Sequence, residues 1–155
     1  MAYEIERKFL VTSDAWRTDV IIRKHLCQFY LSVSGPSSVR VRISDNANAR
    51  LTIKSVEAGM RRSEFEYAIP LDDAESMRSL AVGSIIEKTR HIVPAGDLHW
   101  EIDEFEGPNH GLVIAEIELP SVGHSIEHPN WLGEEITDNR RYYNAALALR
   151  PFKTW

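Results

Sequence analysis

Residues 1–10 read MAYEIERKFL, and from Tyr3 to Phe9 the chain alternates. Glu4, Glu6 and Lys8 fall on one side of an extended backbone, and Tyr3, Ile5 and Phe9 on the other. A period of two is the pleat of a β-strand, whereas a helix would bring every third or fourth residue together. The same rhythm returns along the sequence. VRVRI (39–43) sets Arg40 and Arg42 against Val39, Val41 and Ile43, and RLTIK (50–54) sets Arg50, Thr52 and Lys54 against Leu51 and Ile53. SEFEYAI (63–69) carries Glu64 and Glu66, WEIDEF (100–105) carries Glu101 and Asp103, and IAEIEL (114–119) carries Glu116 and Glu118, each pair opposite apolar neighbours. Lys88 and Arg90 form one more alternate pair, but among the polar residues Glu87, Thr89 and His91.

Turn chemistry in SGPSS (34–38), SDNANA (44–49), SVEAGM (55–60), PAGD (94–97) and EGPNHG (106–111) separates these stretches. Strands are expected near 3–11, 26–33, 38–44, 50–56, 62–69, 85–93, 98–105 and 112–119. Eight strands with hairpin-length connections make an antiparallel sheet, curled or closed. Two helices are expected: LDDAESMRSLAV (71–82), capped by Asp72 or Asp73, and TDNRRYYNAALAL (137–149), capped by Thr137 or Asp138 and ending before Pro151. SDAWRTDV (13–20) suits one short helical turn. The class is mainly β with a few helices (α+β).

A wet outer sheet face also alternates, so a single charged pair decides nothing. The set says more, because wet faces usually mix both signs with Ser, Thr, Asn and Gln. Here pair after pair is all acidic or all basic, and like charges on one strand face repel. Burying them in a dry core costs several kcal/mol per ion. A water-filled channel lined by both signs suits a ligand that carries both, a polyanion with its divalent cations. Clustered carboxylates are hard oxygen ligands for Mg²⁺ or Mn²⁺, and Arg and Lys donate to phosphate oxygens.

The 155 residues carry a formal charge of −5, which argues against a general nucleic-acid or acidic-membrane binder. Cys27 is the single cysteine, so there is neither an intrachain disulfide nor a CxxC pair, and a reducing, cytoplasmic setting is expected. The longest unbroken apolar run, AALAL at 145–149, is far short of a membrane span. With no repeat and no linker-like stretch, residues 1–155 read as one domain, a monomer or a homodimer.

The EIERK of residues 4–8 resembles the ExExK signature of the CYTH superfamily, the triphosphate tunnel metalloenzymes. RVR (40–42), LTIK (51–54), SEFEY (63–67), EKTR (87–90), EIDEF (101–105), AEIEL (115–119) and WLGEEITDNRRYYNAALA (131–148) follow in the order of the small bacterial members, the inorganic triphosphatases. The resemblance implies a closed eight-stranded antiparallel barrel, a tunnel with inward charges, helices outside and a C-terminal helix. It implies metal-dependent hydrolysis of a small triphosphate, with Mg²⁺ or Mn²⁺ as cofactor. By the same resemblance Glu4, Glu6, Glu118 and Glu116 look like metal ligands, and Lys8, Arg40, Arg42, Lys54, Lys88 and Arg90 like a phosphate clamp. Glu4, Glu6, Lys8 and Glu118 stand as the catalytic set. Glu64, Glu66 and Asp103 match further inward acids that bind a second metal, orient water or balance the cations, and Tyr30 matches a tyrosine near one tunnel mouth. Inorganic tripolyphosphate is the favoured substrate. ATP cyclisation by a class IV-type adenylyl cyclase, thiamine triphosphate hydrolysis and a non-catalytic polyphosphate-binding module are the alternatives.

The six histidines show no HxH or HExxH spacing and are expected on the surface or in turns. Trp16, Trp100, Trp131 and Trp155 read as packing anchors, and Tyr142 and Tyr143 as the packing face of the C-terminal helix. No Ser/His/Asp, Cys/His or P-loop arrangement is evident.

Overall fold

The computed structural model describes residues 3–155. Nine strands follow in order: β1 (Tyr3–Val11), β2 (Ile22–Ser32), β3 (Ser37–Ser44), β4 (Asn48–Ser55), β5 (Arg61–Ile69), β6 (Val82–Ala95), β7 (Leu98–Phe105), β8 (Val113–Glu118) and β9 (Leu132–Glu135). All eight expected strands are present, several longer by a few residues. They lie in the order β5-β4-β3-β2-β6-β7-β8-β1, and antiparallel pairing of β1 with β5 closes the barrel.

One edge of β1 pairs with β8, placing Glu6 opposite Glu118 and Lys8 opposite Glu116. Its other edge is shared. Tyr3–Ile5 pair with Ser63–Arg61 of β5, and Phe9 and Val11 pair with β9, a short ninth strand the sequence pattern did not announce. Between them the Glu6 N–H donates to Met60 O (3.0 Å), the Lys8 N–H to Thr137 Oγ1 (3.0 Å), and the Ile136 N–H to Lys8 O (2.8 Å). No stretch of this edge is left open, which is how an edge strand avoids adding a foreign one.

The charged rows face into the barrel, so the apolar rows face out and must be covered. Ile5, Phe9, Trp100, Ile102, Ala115 and Ile117 pack beneath Trp16 of a 3-10 turn (Ala15–Asp19) and beneath Leu119 and Trp131 of the segment after β8. Cys27, Phe29, Val41, Ile43 and Ala49 pack under α1 (Leu71–Met77) through Ala74. At about 1.5–3 kcal/mol per fully buried large side chain, these outer clusters carry most of the burial that holds the barrel. Trp16, Trp100 and Trp131 are anchors as expected.

At one end the inward rows turn apolar: Lys8 is followed by Leu10, Lys88 preceded by Ile86, Asp103 followed by Phe105, Glu116 preceded by Ile114. These residues pack with Tyr30, Leu112 and Ile136 against Leu147 and Ala148 of α2 (Asn144–Leu149), so α2 stoppers that end of the tunnel.

The helices differ from expectation at their starts. Pro70, not Asp72 or Asp73, holds the N-cap position of α1, and its fixed φ leaves the two acids inside the first turn. The C-terminal helix is shorter than 137–149. Thr137 is used by β1, Asn139 caps a 3-10 turn (Arg140–Tyr142) by accepting from the Arg141 N–H, and Tyr143 is extended (ψ 140°) before α2 begins. Gly83 has φ +74°, and a Cβ there would collide with Ala148 O and lie 2.8 Å from Ala148 C. We expect G83A to cost at least about 1–2 kcal/mol for the left-handed backbone, plus the displacement of α2, read as a lowered urea midpoint. G35A, with φ +83° but open space around it, should cost only the backbone part.

Candidate active site

Alternation on seven strands converges the charges on one cavity of about 230 Å³. Its wall carries Glu4, Glu6 and Lys8 of β1, Arg40 and Arg42 of β3, Lys54 of β4, Arg62, Glu64 and Glu66 of β5, Lys88 and Arg90 of β6, Glu101 of β7, and Glu116 and Glu118 of β8. Tyr30, Ser38, Tyr143, Asn144 and Ala145 complete it, Tyr30 at the end covered by α2. Asp103 lies behind this wall, fully buried beneath Lys88 and Arg90.

Much of the charge is paired. Asp103 takes Lys88 Nζ at 2.7 Å and accepts from one edge of the Arg90 guanidinium, Nε at 2.8 Å and Nη2 at 2.9 Å. Burial alone would raise the Asp103 carboxyl, but the Arg90 and Lys88 charges reverse this and hold it far below the usual carboxylate range. Glu101 takes the remaining side of Arg90 at 3.1 Å. Lys54 Nζ lies 2.7 Å from Glu4 and 3.4 Å from Glu64, and Lys8 Nζ 3.6 Å from Glu6 and 4.0 Å from Glu116. The Glu66 carboxylate accepts from Thr52 at 3.1 Å and lies 3.9 Å from Arg40.

Two regions remain unbalanced. On the basic side, burial, with Arg40 and Arg90 nearby, pushes Arg42 down to about 9. Burial pushes Lys88 down to about 7, Arg90 and Arg42 adding to it against the pull of Asp103. The Nε of Arg40 is buried without a hydrogen-bond partner among the described residues. On the acidic side, Glu118 makes no ion pair among the described residues, and its carboxyl is raised by burial and by Glu4, Glu101 and Glu6. Glu64 is raised to about 6 by burial and the proximity of Glu4, against Lys54. Arg42 on one side of the cavity and Glu118 on the other are its lining charges that make no ion pair among the described residues. The donors on the acidic side are all carboxylates, the hard oxygen set that Mg²⁺ or Mn²⁺ prefers, and Glu4, Glu6 and Glu118 offer it from adjoining strands, although among the described residues their ligand atoms do not gather within 4.8 Å of one another.

Four lining or supporting residues escaped the sequence reading. Arg62 shares the face of Glu64 and Glu66, one step upstream, so parity alone would have found it. Tyr143 was read as packing; its ring underlies Lys8 Nζ at 4.5 Å and the Arg62 guanidinium at 5.2 Å, and its hydroxyl donates to Thr137 O at 2.7 Å. Asn144 Oδ1 accepts from Lys88 Nζ (2.9 Å) and Gln28 Nε2 (2.8 Å), while Gln28 Oε1 accepts from Arg42 Nε (3.0 Å). Among the described residues no histidine lines the cavity. His91 is buried, contrary to expectation, stacked on Trp16 (4.9 Å) with Nε2 against Glu104 (3.2 Å). Outside the cavity, His25, Glu87 and Glu106 bring ligand-type atoms within 4.8 Å of one another.

Residues 2–147 match the CYTH domain, and the chain belongs to that family. An inorganic triphosphatase of Acetivibrio thermocellus is 40% identical over 159 residues, covering 100% of this chain and 99% of that one. An inorganic triphosphatase of Nitrosomonas europaea is 36% identical over 153 residues, covering 94% and 97%. A crystal structure of an inorganic triphosphatase superposes with a TM-score of 0.69 at 32% identity, over 96% of each chain.

Removing one partner of a buried ion cluster leaves the others uncompensated, so D103N should lower stability at pH 7 by about 3–5 kcal/mol in urea unfolding. The charged Asp103 is favoured by the fold. Its contribution is therefore complete above the unfolded carboxylate pKa, about 3.9, and is lost as the pH falls toward the lower folded value. The gap between wild type and D103N should narrow progressively below about pH 4.

Proposed function

We propose that this protein hydrolyses inorganic tripolyphosphate to pyrophosphate and orthophosphate, using Mg²⁺ or Mn²⁺. The observation that carries the reading is the division of unbalanced charge within one closed-ended cavity: the basic side calls for a polyanion and the acidic side for its cation. Two relatives of nearly the same length are named inorganic triphosphatases, which supports it. So does size. At about 230 Å³ the cavity is smaller than the roughly 300–1,000 Å³ of ordinary ligand pockets, favouring a compact anion over a nucleotide or thiamine ester.

In this reading Glu4, Glu6 and Glu118 hold the metal, with Glu116 beside them facing Lys8. A bound divalent ion would neutralise phosphate oxygens and polarise the terminal phosphorus. Lys8, Arg40, Arg42, Lys54, Lys88 and Arg90 grip the phosphate chain. The unpartnered Arg40 Nε and the depressed Arg42 and Lys88 gain in such contact what they lack in the free protein. Asp103 fixes the direction of Lys88 and Arg90, and Glu64 and Glu66 steady Lys54 and Arg40. Phosphoryl transfer asks the protein mainly for in-line positioning and charge neutralisation. Water forms a bond to the terminal phosphorus, the bond to the bridging oxygen breaks, and pyrophosphate leaves with that oxygen against the basic side. Ser38 lines the cavity without a histidine beside it, so a covalent intermediate has no activated nucleophile.

Phosphate release from tripolyphosphate, ATP and thiamine triphosphate, each with Mg²⁺, Mn²⁺ or chelator, tests the proposal, with the ATP sample assayed for cyclic AMP. Fast, metal-dependent release from tripolyphosphate is expected. Preferred turnover of ATP to cyclic AMP or of thiamine triphosphate would replace this substrate, and binding without turnover would leave a polyphosphate-binding module. E6Q, which keeps side-chain shape, should cut turnover by about 10²–10³-fold, the loss typical of one missing transition-state contact, with its circular dichroism spectrum unchanged.

A further inference from the structure

Glu4 and Glu6 are two residues apart on the same face of β1, so their carboxylates repel. Among the described residues, one group bridges them. Arg62 Nη2 lies 3.3 Å from Glu4 Oε1 and 3.3 Å from Glu6 Oε1. Its position is built by the barrel: Arg62 is the register partner of Glu4 across the β1–β5 closure, and the Tyr143 ring supports its guanidinium. Its side chain is largely buried, with 12% of its surface exposed, so the charge has few other partners.

We infer that Arg62 stands in for the divalent cation between Glu4 and Glu6 in the free protein, and passes to the phosphate chain when the metal enters. The inference rests on the reading of Glu4 and Glu6 as metal ligands. A metal arriving alone must displace the guanidinium and leave it buried without an anion, which is costly. A metal arriving with a triphosphate gives Arg62 new oxygen partners, which guanidinium groups bind well. Metal and triphosphate therefore assist each other's binding, and thermodynamic linkage makes the effect reciprocal. Lys54, 2.7 Å from Glu4 Oε1, shares the role on one carboxylate only; the bridge belongs to Arg62.

The test is direct Mn²⁺ binding to the phosphate-free protein, read by electron paramagnetic resonance of the unbound ion. R62Q should bind Mn²⁺ about tenfold more tightly than wild type, within the usual range of coupling between two ligands, and should show a raised KM for tripolyphosphate. R42Q removes the same charge from the same cavity without touching Glu4 or Glu6, and should shift Mn²⁺ affinity less than about threefold. Equal Mn²⁺ affinity in R62Q and wild type, or equal tightening by R62Q and R42Q, overturns the inference. If R62Q does not fold, R62K, which keeps the charge on a shorter side chain that ends short of the Nη2 position between the two carboxylates, should still bind Mn²⁺ more tightly than wild type; equal affinity overturns the inference. E6Q separates the two readings. Weakened Mn²⁺ binding in E6Q with no tightening in R62Q removes Arg62's role alone, whereas E6Q binding like wild type removes the metal site on which it rests.

Discussion

Asp103 is the fixed point of the tunnel. Both its oxygens are committed, to Arg90 through two bonds and to Lys88 through a third, and none of its surface reaches solvent. Around that carboxylate the two cations of β6 are held in one orientation, and their surplus charge, with that of Arg40 and Arg42, is directed into the cavity rather than cancelled. A barrel with its charged face inward is stable only if such internal pairing offsets desolvation, and only if the outward apolar face is roofed. The 3-10 turn bearing Trp16, the segment reaching Trp131, and α1 form that roof. The site and the core are opposite faces of the same strands.

This explains what the sequence revealed. Period-two alternation is backbone geometry, so every inward charge on β1, β3, β4, β5 and β8 was legible before any fold was known, and the eight barrel strands with it. The inversion of inside and outside was legible only because the charges were sorted by sign, strand by strand. Arg62 was within reach of the same parity and was passed over because the run began one residue later, at SEFEY. Gln28 and Asn144 leave no trace in a charge pattern: they are neutral, and what matters is that they join Arg42 and Lys88 through hydrogen bonds across elements 116 residues apart.

The misses have local causes. β9 is four residues long and includes Gly133, packed so closely on β1 that a Cβ would lie 2.9 Å from Leu10 O, so it has no room for an alternating pattern. The C-terminal stretch looks helical from Thr137 onward, but Tyr143 needs an extended backbone to set its ring under Lys8 and Arg62 while its hydroxyl reaches Thr137 O. Tertiary contact overrides propensity there. His91 differs from the surface or turn position expected of all six histidines because spacing says nothing of burial, and the outward face at that point lies beneath Trp16.

The sharing of β1 also governs how the chain assembles as it is made. β1 leaves the ribosome before every strand it pairs with, β5, β8 and β9, the last ending at Glu135. At about 5–20 residues per second, β1 waits on the order of ten seconds for its final neighbour, with both edges unpaired for much of that time. Long-range pairing of this kind slows folding, and an open apolar strand invites association with other nascent chains. Glu4, Glu6 and Lys8 interrupt that strand at every second position. The charges that face the cavity in the finished barrel are also the kind that break up an apolar β-prone run before its partners arrive.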